Sequence, residues 1–259
     1  MGIIFFDKPT GITSFDALRD IKRSLGTGKV GHTGTLDKFA QGLLIVLTGR
    51  DLKLSRWFTS CDKKYLAKIR FGLETDTLDP EGKPIAEAPL PSREDVEQVL
   101  PQFTGDILQA PPAYSAMRIN GKRASDLTRS GEAPEMKKRP VKIHQLELQS
   151  WQPPFAEIFV HCSSGTYIRS LARDIALAAG SRGHLVELTR TQVADFLLET
   201  GDRGEGIGNH LPITKSIITT LGISCFDITA EKAQDARNGK LLEKILEDVP
   251  LELLKECTT

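Results

Sequence analysis

With 259 residues, 39% of them hydrophobic and 26% charged, and with 34 basic against 34 acidic side chains, the chain has the composition of a globular protein able to bury a substantial core. Its N-terminal apolar run, Ile3 to Phe6, is too short for a signal segment or a membrane span, and Cys61, Cys162, Cys225 and Cys257 show neither CxxC nor zinc-type spacing, which predicts reduced thiols in a cytoplasmic protein. The zero net charge hides a partition, since residues 1–70 hold 13 basic against 6 acidic groups, 71–110 hold 2 against 9 and 111–150 hold 8 against 4.

Taken in chain order, "GIIFF" predicts a buried strand. "SFDALRDIKRSLG" predicts a helix capped by Ser14 and ended by Gly26, with Phe15, Leu18, Ile21 and Leu25 on its apolar face. The glycine-rich stretch "GKVGHTGTLD", Gly28 to Asp37, comes next. It leads into a strand, "GLLIVLTG", and a helix, "DLKLSRWFTS". In "KKYLAKIRF" the alternation of Tyr65, Ala67, Ile69 and Phe71 with Lys64, Lys68 and Arg70 predicts a half-buried strand that points Tyr65 inward. The acidic, turn-rich "GLETDTLDPEGKPIAEAPLP" is expected to face away from any polyanion, and Ser92 with Asp95 has capping-box spacing for a following helix.

Residues 113–139 carry little apolar periodicity and many basic groups, which predicts a long exposed loop with one short helix. Two strands, "VKIHQLELQ" and "AEIFVHC", are expected on either side of a "SWQPPF" connection. "GTYIRSLARDIALAAG" predicts a helix with Thr166 as N-cap, an apolar stripe of Ile168, Leu171, Ile175 and Ala178 or Ala179, and Arg169 and Arg173 together on another face. "HLVELTR" and "VADFLL" read as strands paired around a Thr191–Gln192 turn. Beyond "GDRGEGIGN", a glycine-rich link, two or three short helices are expected.

Glycines beside an acid ordinarily make tight turns. Here, however, the succession "DKPTGITS", "GHTGTLD", "KKYLAKIRFG", "PPAYSAMRINGKR" and "CSSGTYIRSLARD" resembles, from about Ile3 to Leu198, the bacterial tRNA pseudouridine-55 synthase family, the TruB type. The resemblance implies an α+β fold built on a mixed, largely antiparallel central sheet with flanking helices. It implies isomerisation of a T-arm loop uridine to pseudouridine without metal or organic cofactor. Asp37 then matches the catalytic carboxylate, Tyr65 the ring that stacks on uracil, and Arg169 the arginine paired with the aspartate, with Tyr167 beside it. His32 matches the residue that fills the place of the flipped base. Gly31, Thr33, Gly34 and Thr35 let the RNA backbone approach and offer N–H groups, and Leu188 lines the base pocket. Lys8 and Pro9 match a support for the aspartate loop. The basic segment 113–141 matches an insertion closing over the T-arm, with Lys122, Arg123, Lys137 and Lys138 as phosphate contacts.

The chain departs from the family pattern at Lys38, where a proline is usual, and at Ala124–Ser125, where a leucine–tyrosine pair is frequent. The expected domains are 1–205, catalytic, and 206–259, a shortened PUA-like segment. The expected partner is the T-arm stem-loop of tRNA, bound by a monomer that needs no membrane and no protein partner. Two rival readings are a guide-RNA-dependent relative and a tRNA-folding chaperone with secondary catalysis. Intact Asp37, Tyr65 and Arg169 weigh against pure chaperoning.

Overall fold

A computed structural model describes residues 1–119, 121–132, 135–198, 210–223, 232–234 and 238. The chain divides into two compact units, Met1–Leu211 and Pro212–Thr259. The first holds β1 (Gly2–Lys8), α1 (Ser14–Leu25), β2 (Val30–His32), β3 (Gln41–Thr48), α2 (Ser55–Ser60), β4 (Lys63–Phe71), β5 (Leu73–Thr75), β6 (Pro84–Glu87), α3 (Arg93–Val99), β7 (Gly105–Gln109), β8 (Arg118–Ile119), β9 (Lys122–Arg123), α4 (Ala124–Arg129), β10 (Arg139–Gln152), β11 (Phe155–Cys162), α5 (Ile168–Ala178), β12 (Gly183–Val193), β13 (Phe196–Leu197) and β14 (His210–Leu211). Of the short helices expected near the C-terminus, α6 (Lys215–Thr220) lies in the second unit, and the shortened PUA-like segment falls largely outside the described residues.

Among the described residues one sheet runs in the order β14-β1-β3-β12-β4-β11-β10-β7, with β2 added to β3 and β13 to β12. It is antiparallel except at β3–β12, where only Gln41–Thr189 and Gly42–Arg190 pair, in parallel. The fold is therefore the α+β, mixed and largely antiparallel architecture expected. Gly42 makes the parallel seam possible: it sits at φ 102°, and a Cβ there would lie 2.4 Å from the Arg190 carbonyl oxygen.

Two apolar clusters flank this seam. One packs α1, through Ala17, Leu18 and Ile21, onto Ile4, Val30, Leu44 and Val46. The other joins α3 and α5 to the inward residues of β4, β10, β11 and β12, among them Ala67, Ile69, Ile143, Ile158, Leu171, Ile175 and Leu185. Each fully buried aliphatic side chain contributes roughly 1.5–3 kcal/mol, so the two clusters fix the seam between them.

Several local expectations shift by a residue or more, each for a visible reason. The N-cap of α1 is Thr13, which forms a capping box with Asp16. Ser14 is instead committed to the chain at Leu36: its hydroxyl receives the Leu36 N–H (2.9 Å) and donates to the Leu36 carbonyl (3.0 Å). Phe15, placed on the apolar face by periodicity, turns to solvent, where Lys22 lies over its ring. β12 continues through Thr191–Gln192, with a register shift between Arg190 and Gln192, because Gln192 and Val193 still pair with β4; the chain reverses at Ala194, φ 49°. β10 likewise continues through Gln152, absorbing the first half of the expected connection. The first unit passes the expected boundary at 205, because His210 and Leu211 add an edge to β1.

Candidate active site

Asp37 stands on the loop between β2 and β3, held on both sides by the segment that precedes and opens α1. Ser14 clamps Leu36 as described, Gly11 N–H donates to the Lys38 carbonyl (2.9 Å), and Ala40 N–H donates to the carbonyl of Asp37 itself (3.1 Å). Lys8, fully buried, donates to the Pro9 and Ile12 carbonyls (2.9 and 2.7 Å), which fits the supporting part expected of "DKP". Burial brings Lys8 down to about 8, against the pull of Asp37.

Opposite the loop, the first turn of α5 presents Arg169. Its Nε lies 2.9 Å from Asp37 Oδ2 and its Nη2 donates to Asp37 Oδ1 (3.2 Å), a two-pronged grip. The same guanidinium donates from Nη1 to the Thr77 carbonyl (2.8 Å) and Asp79 Oδ2 (3.3 Å), and from Nη2 to the Tyr114 carbonyl (3.0 Å). Four of its N–H groups thus donate to acceptors while Nε faces Asp37 as an ion pair, and the plane of the group is fixed. Asp79 is anchored in turn by the Thr77 hydroxyl (2.5 Å) and the Glu81 N–H (3.0 Å).

The start of α5 has its own support. Tyr167, not Thr166, occupies the cap position, and no side chain caps it locally. Buried Gln109 of β7 supplies the contact: its Oε1 accepts the Tyr167 N–H (2.8 Å) and its Nε2 donates to the Tyr167 carbonyl (3.1 Å).

These elements enclose a cavity of about 490 Å³, lined by Asp37, Tyr65, Tyr114, Tyr167, Arg169, Leu188 and Arg190 among others. Of the residues singled out in the sequence, Gly34, Thr35 and Arg123 also reach its wall, whereas His32, Gly31, Thr33, Lys122, Lys137 and Lys138 do not. His32 sits on β2 just outside, its Nδ1 accepting the Gly34 N–H (3.4 Å); burial, with Arg190, lowers its pKa and favours the neutral ring. One reading of the glycine-rich stretch needs correction. The Thr33 N–H is already donated to the Ile45 carbonyl (3.0 Å), so it offers RNA no donor. A Cβ on Gly31 would meet the tip of the Leu52 side chain at 2.9 Å. Lys122, Lys137 and Lys138 are exposed on the insertion, whose one expected helix is α4.

The acidic stretch does not turn wholly away. Thr77 and Asp79 hold Arg169 from behind, and Glu81 lies 3.4 Å from Lys38, the residue standing where proline was expected. Sequence separation hid this, since 90 residues lie between Asp79 and Arg169. Lys63 and Arg190 were also missed although a signal existed: each is two residues from a chosen position, Tyr65 or Leu188, on the same strand face.

The electrostatics follow from this geometry. Burial pushes the Asp37 carboxyl above the ordinary carboxylate range; Arg169 pulls it back, and Asp79 and Glu81 raise it again. Because Arg169 serves two carboxylates, it neutralises neither alone, and Asp37 stays more basic than an ordinary paired aspartate. Tyr65, buried, is likewise raised, so its hydroxyl keeps its proton at neutral pH; the Arg190 guanidinium lies beside it.

Residues 22–168 match the family described as TruB family pseudouridylate synthase, N-terminal domain. The tRNA pseudouridine synthase B of Treponema denticola is 40% identical over 272 residues, covering 97% of this chain and 74% of that protein. Its counterpart in Borreliella burgdorferi is 39% identical over 248 residues, covering 93% and 86%. Among solved structures, a chain of a Cbf5–Nop10–Gar1 complex matches with a TM-score of 0.60 and 29% identity over 78% of this chain and 51% of that one.

Proposed function

Because the chain belongs to the TruB family of pseudouridylate synthases, we propose that it isomerises one uridine of the tRNA T-arm loop, at position 55, to pseudouridine, with Asp37 as the catalytic carboxylate. At the coarser level it is an isomerase acting on tRNA. The observation that carries the finer reading is the two-pronged Arg169–Asp37 pair in the wall of a cavity that also contains Tyr65 and Leu188.

The reaction cleaves the glycosidic C–N bond, turns the detached uracil and joins its C5 to the same sugar carbon, so the base has to stay confined throughout. Extruding it from the RNA loop costs a few kcal/mol, offset by stacking on Tyr65 and apolar contact with Leu188. Asp37 Oδ1 accepts a bond from Arg169 Nη2 and Oδ2 faces Arg169 Nε as an ion pair, which leaves the carboxylate a lone pair for chemistry. That lone pair serves equally for attack at the sugar C1′, attack at the uracil C6 or removal of the 2′ proton. Tyr65, protonated at neutral pH, assists proton transfer at C5 through its hydroxyl. His32, neutral and just outside the cavity, suits stacking in the place the base leaves.

The solved Cbf5 complexes carry protein partners, which keeps the guide-RNA-dependent reading in view. One experiment separates the readings. Purified protein is incubated with a bare T-arm hairpin and pseudouridine is mapped: conversion at the expected uridine is the predicted result. Conversion only with a guide RNA and added proteins favours the rival, and tight binding without conversion favours a chaperone.

A further inference from the structure

The cavity wall holds two buried cations that the reaction above does not use. Lys63 and Arg190 are both buried, and both line the cavity. Among the described residues, Lys63 Nζ donates to the Thr59 and Cys61 carbonyls (2.8 and 2.5 Å). Arg190 donates from Nε to the Leu43 carbonyl (2.7 Å) and from Nη2 to the Gly34 carbonyl (3.1 Å), and its guanidinium lies beside the Tyr65 hydroxyl. Among the described residues neither has a carboxylate within ion-pair reach. Asp37 is taken by Arg169, and Asp62 lies 3.0 Å from His144.

Arg169 between two aspartates is a compensated charge; Lys63 and Arg190 are not. They also act on each other, since burial first and Arg190 second bring Lys63 down to about 8. Buried charges persist when something pairs with them, and in this cavity the ligand has to bring the counter-charge. Geometry limits what that is. Lys63 and Tyr65 sit two residues apart on the same face of β4, about 7 Å along the strand, a spacing that suits one nucleotide with its base on the ring and its phosphodiester beside the lysine.

We propose that Lys63 and Arg190 form a phosphate subsite that grips a phosphodiester flanking the nucleotide whose base stacks on Tyr65. The inference rests on the reading of the cavity as the uridine site. Its chemistry is a phosphate monoanion accepting hydrogen bonds from an ammonium and a guanidinium. Binding there draws the flipped nucleotide in by its backbone, so the subsite holds the target sugar near Asp37 without contacting the base.

The test is a double-mutant cycle between protein and RNA. T-arm hairpins carrying one uncharged methylphosphonate, 5′ or 3′ of the target uridine, are bound to wild type, Lys63→Gln and Lys63→Arg, with melting temperatures recorded for each. One of the two replacements should weaken wild-type binding at least fivefold. Lys63→Gln should bind the unmodified hairpin correspondingly less well and show no further loss with the methylphosphonate, and Lys63→Arg should restore the sensitivity. Full sensitivity retained in Lys63→Gln, or none in wild type, overturns the subsite. If Lys63→Gln does not fold, the wild type decides by its preference for uridine 3′,5′-bisphosphate over uridine: tenfold or more supports the subsite, and equal affinity sinks it. Pseudouridine is scored in the same hairpin reactions. Coupling without conversion therefore counts against the proposed function alone, and conversion without coupling against the subsite alone.

Discussion

At the scale of single residues, the proposed function rests on Asp37. In Asp37→Asn the shape and hydrogen bonding survive, but the side chain is neither nucleophile nor base, so single-turnover pseudouridine formation should fall at least a thousandfold while hairpin affinity stays within a few-fold. The sign of the proton linkage adds a second expectation. A carboxyl whose folded pKa is raised favours the native state when protonated, and that contribution is lost as pH rises through the folded value. At neutral pH the wild type therefore carries a half-buried charge, disfavoured by its surroundings, that the asparagine lacks, and the variant's melting temperature should equal or exceed the wild type's. Appreciable activity in Asp37→Asn, with deamidation excluded by mass spectrometry, ends the assignment. The same shift predicts that the wild-type rate rises with pH along an acid limb above the range of an ordinary aspartate. Asp79 is one cause of the shift, so Asp79→Asn should move that limb down, with Arg169 left to Asp37. A limb that stays in place, or moves up, shows that Asp79 holds position without tuning charge.

At the scale of elements, the site is a meeting of pieces each readable alone but not in combination. Alternation placed Tyr65 inward, and the "GHTGTLD" and "SSGTYIRSLARD" stretches located Asp37 and Arg169 through family resemblance. What stayed hidden were long-range polar partners: Ser14 with Leu36, Gln109 with Tyr167, Thr77 and Asp79 with Arg169, separated by 22, 58, 92 and 90 residues. A serine before a helix reads as a cap, and an acidic turn reads as solvated surface, because local physics favours both in isolation. Ser14 makes the point testable. Ser14→Ala removes the one hydroxyl that bonds both the Leu36 N–H and its carbonyl while leaving the Thr13–Asp16 capping box intact. The lost hydrogen bonds and the stranded Leu36 N–H cost about 1–3 kcal/mol. Part of that should appear as misplacement of Asp37, with a tenfold or greater drop in the rate at saturating hairpin and little change in affinity. Lowered stability with an unchanged rate assigns the Ser14 clamp to folding alone.

At the scale of the whole molecule, a chain of zero net charge has to bind a polyanion through the distribution of its charges. The described structure exposes Lys122, Arg123, Lys137 and Lys138 on the insertion and buries Lys63, Arg169 and Arg190 around the cavity, so on the proposed function charge for holding RNA and charge for placing one nucleotide are separable. Tested as a set, Lys122, Lys137 and Lys138 leave out Arg123, which reaches the cavity wall. Wild-type affinity for the T-arm should fall steeply with salt, each neutralised phosphate adding about 0.7–0.9 to the magnitude of the log–log slope. Replacing the three lysines together with alanine should reduce that magnitude by about 2, weaken binding at low salt more than at high salt, and leave the single-turnover rate at saturating hairpin within a few-fold of wild type. The last condition matters most, because counterion release acts on association and not on bond making at Asp37. A collapse of the saturated rate would mean that the insertion helps assemble the reacting geometry, and an unchanged slope would mean that the RNA does not touch these lysines.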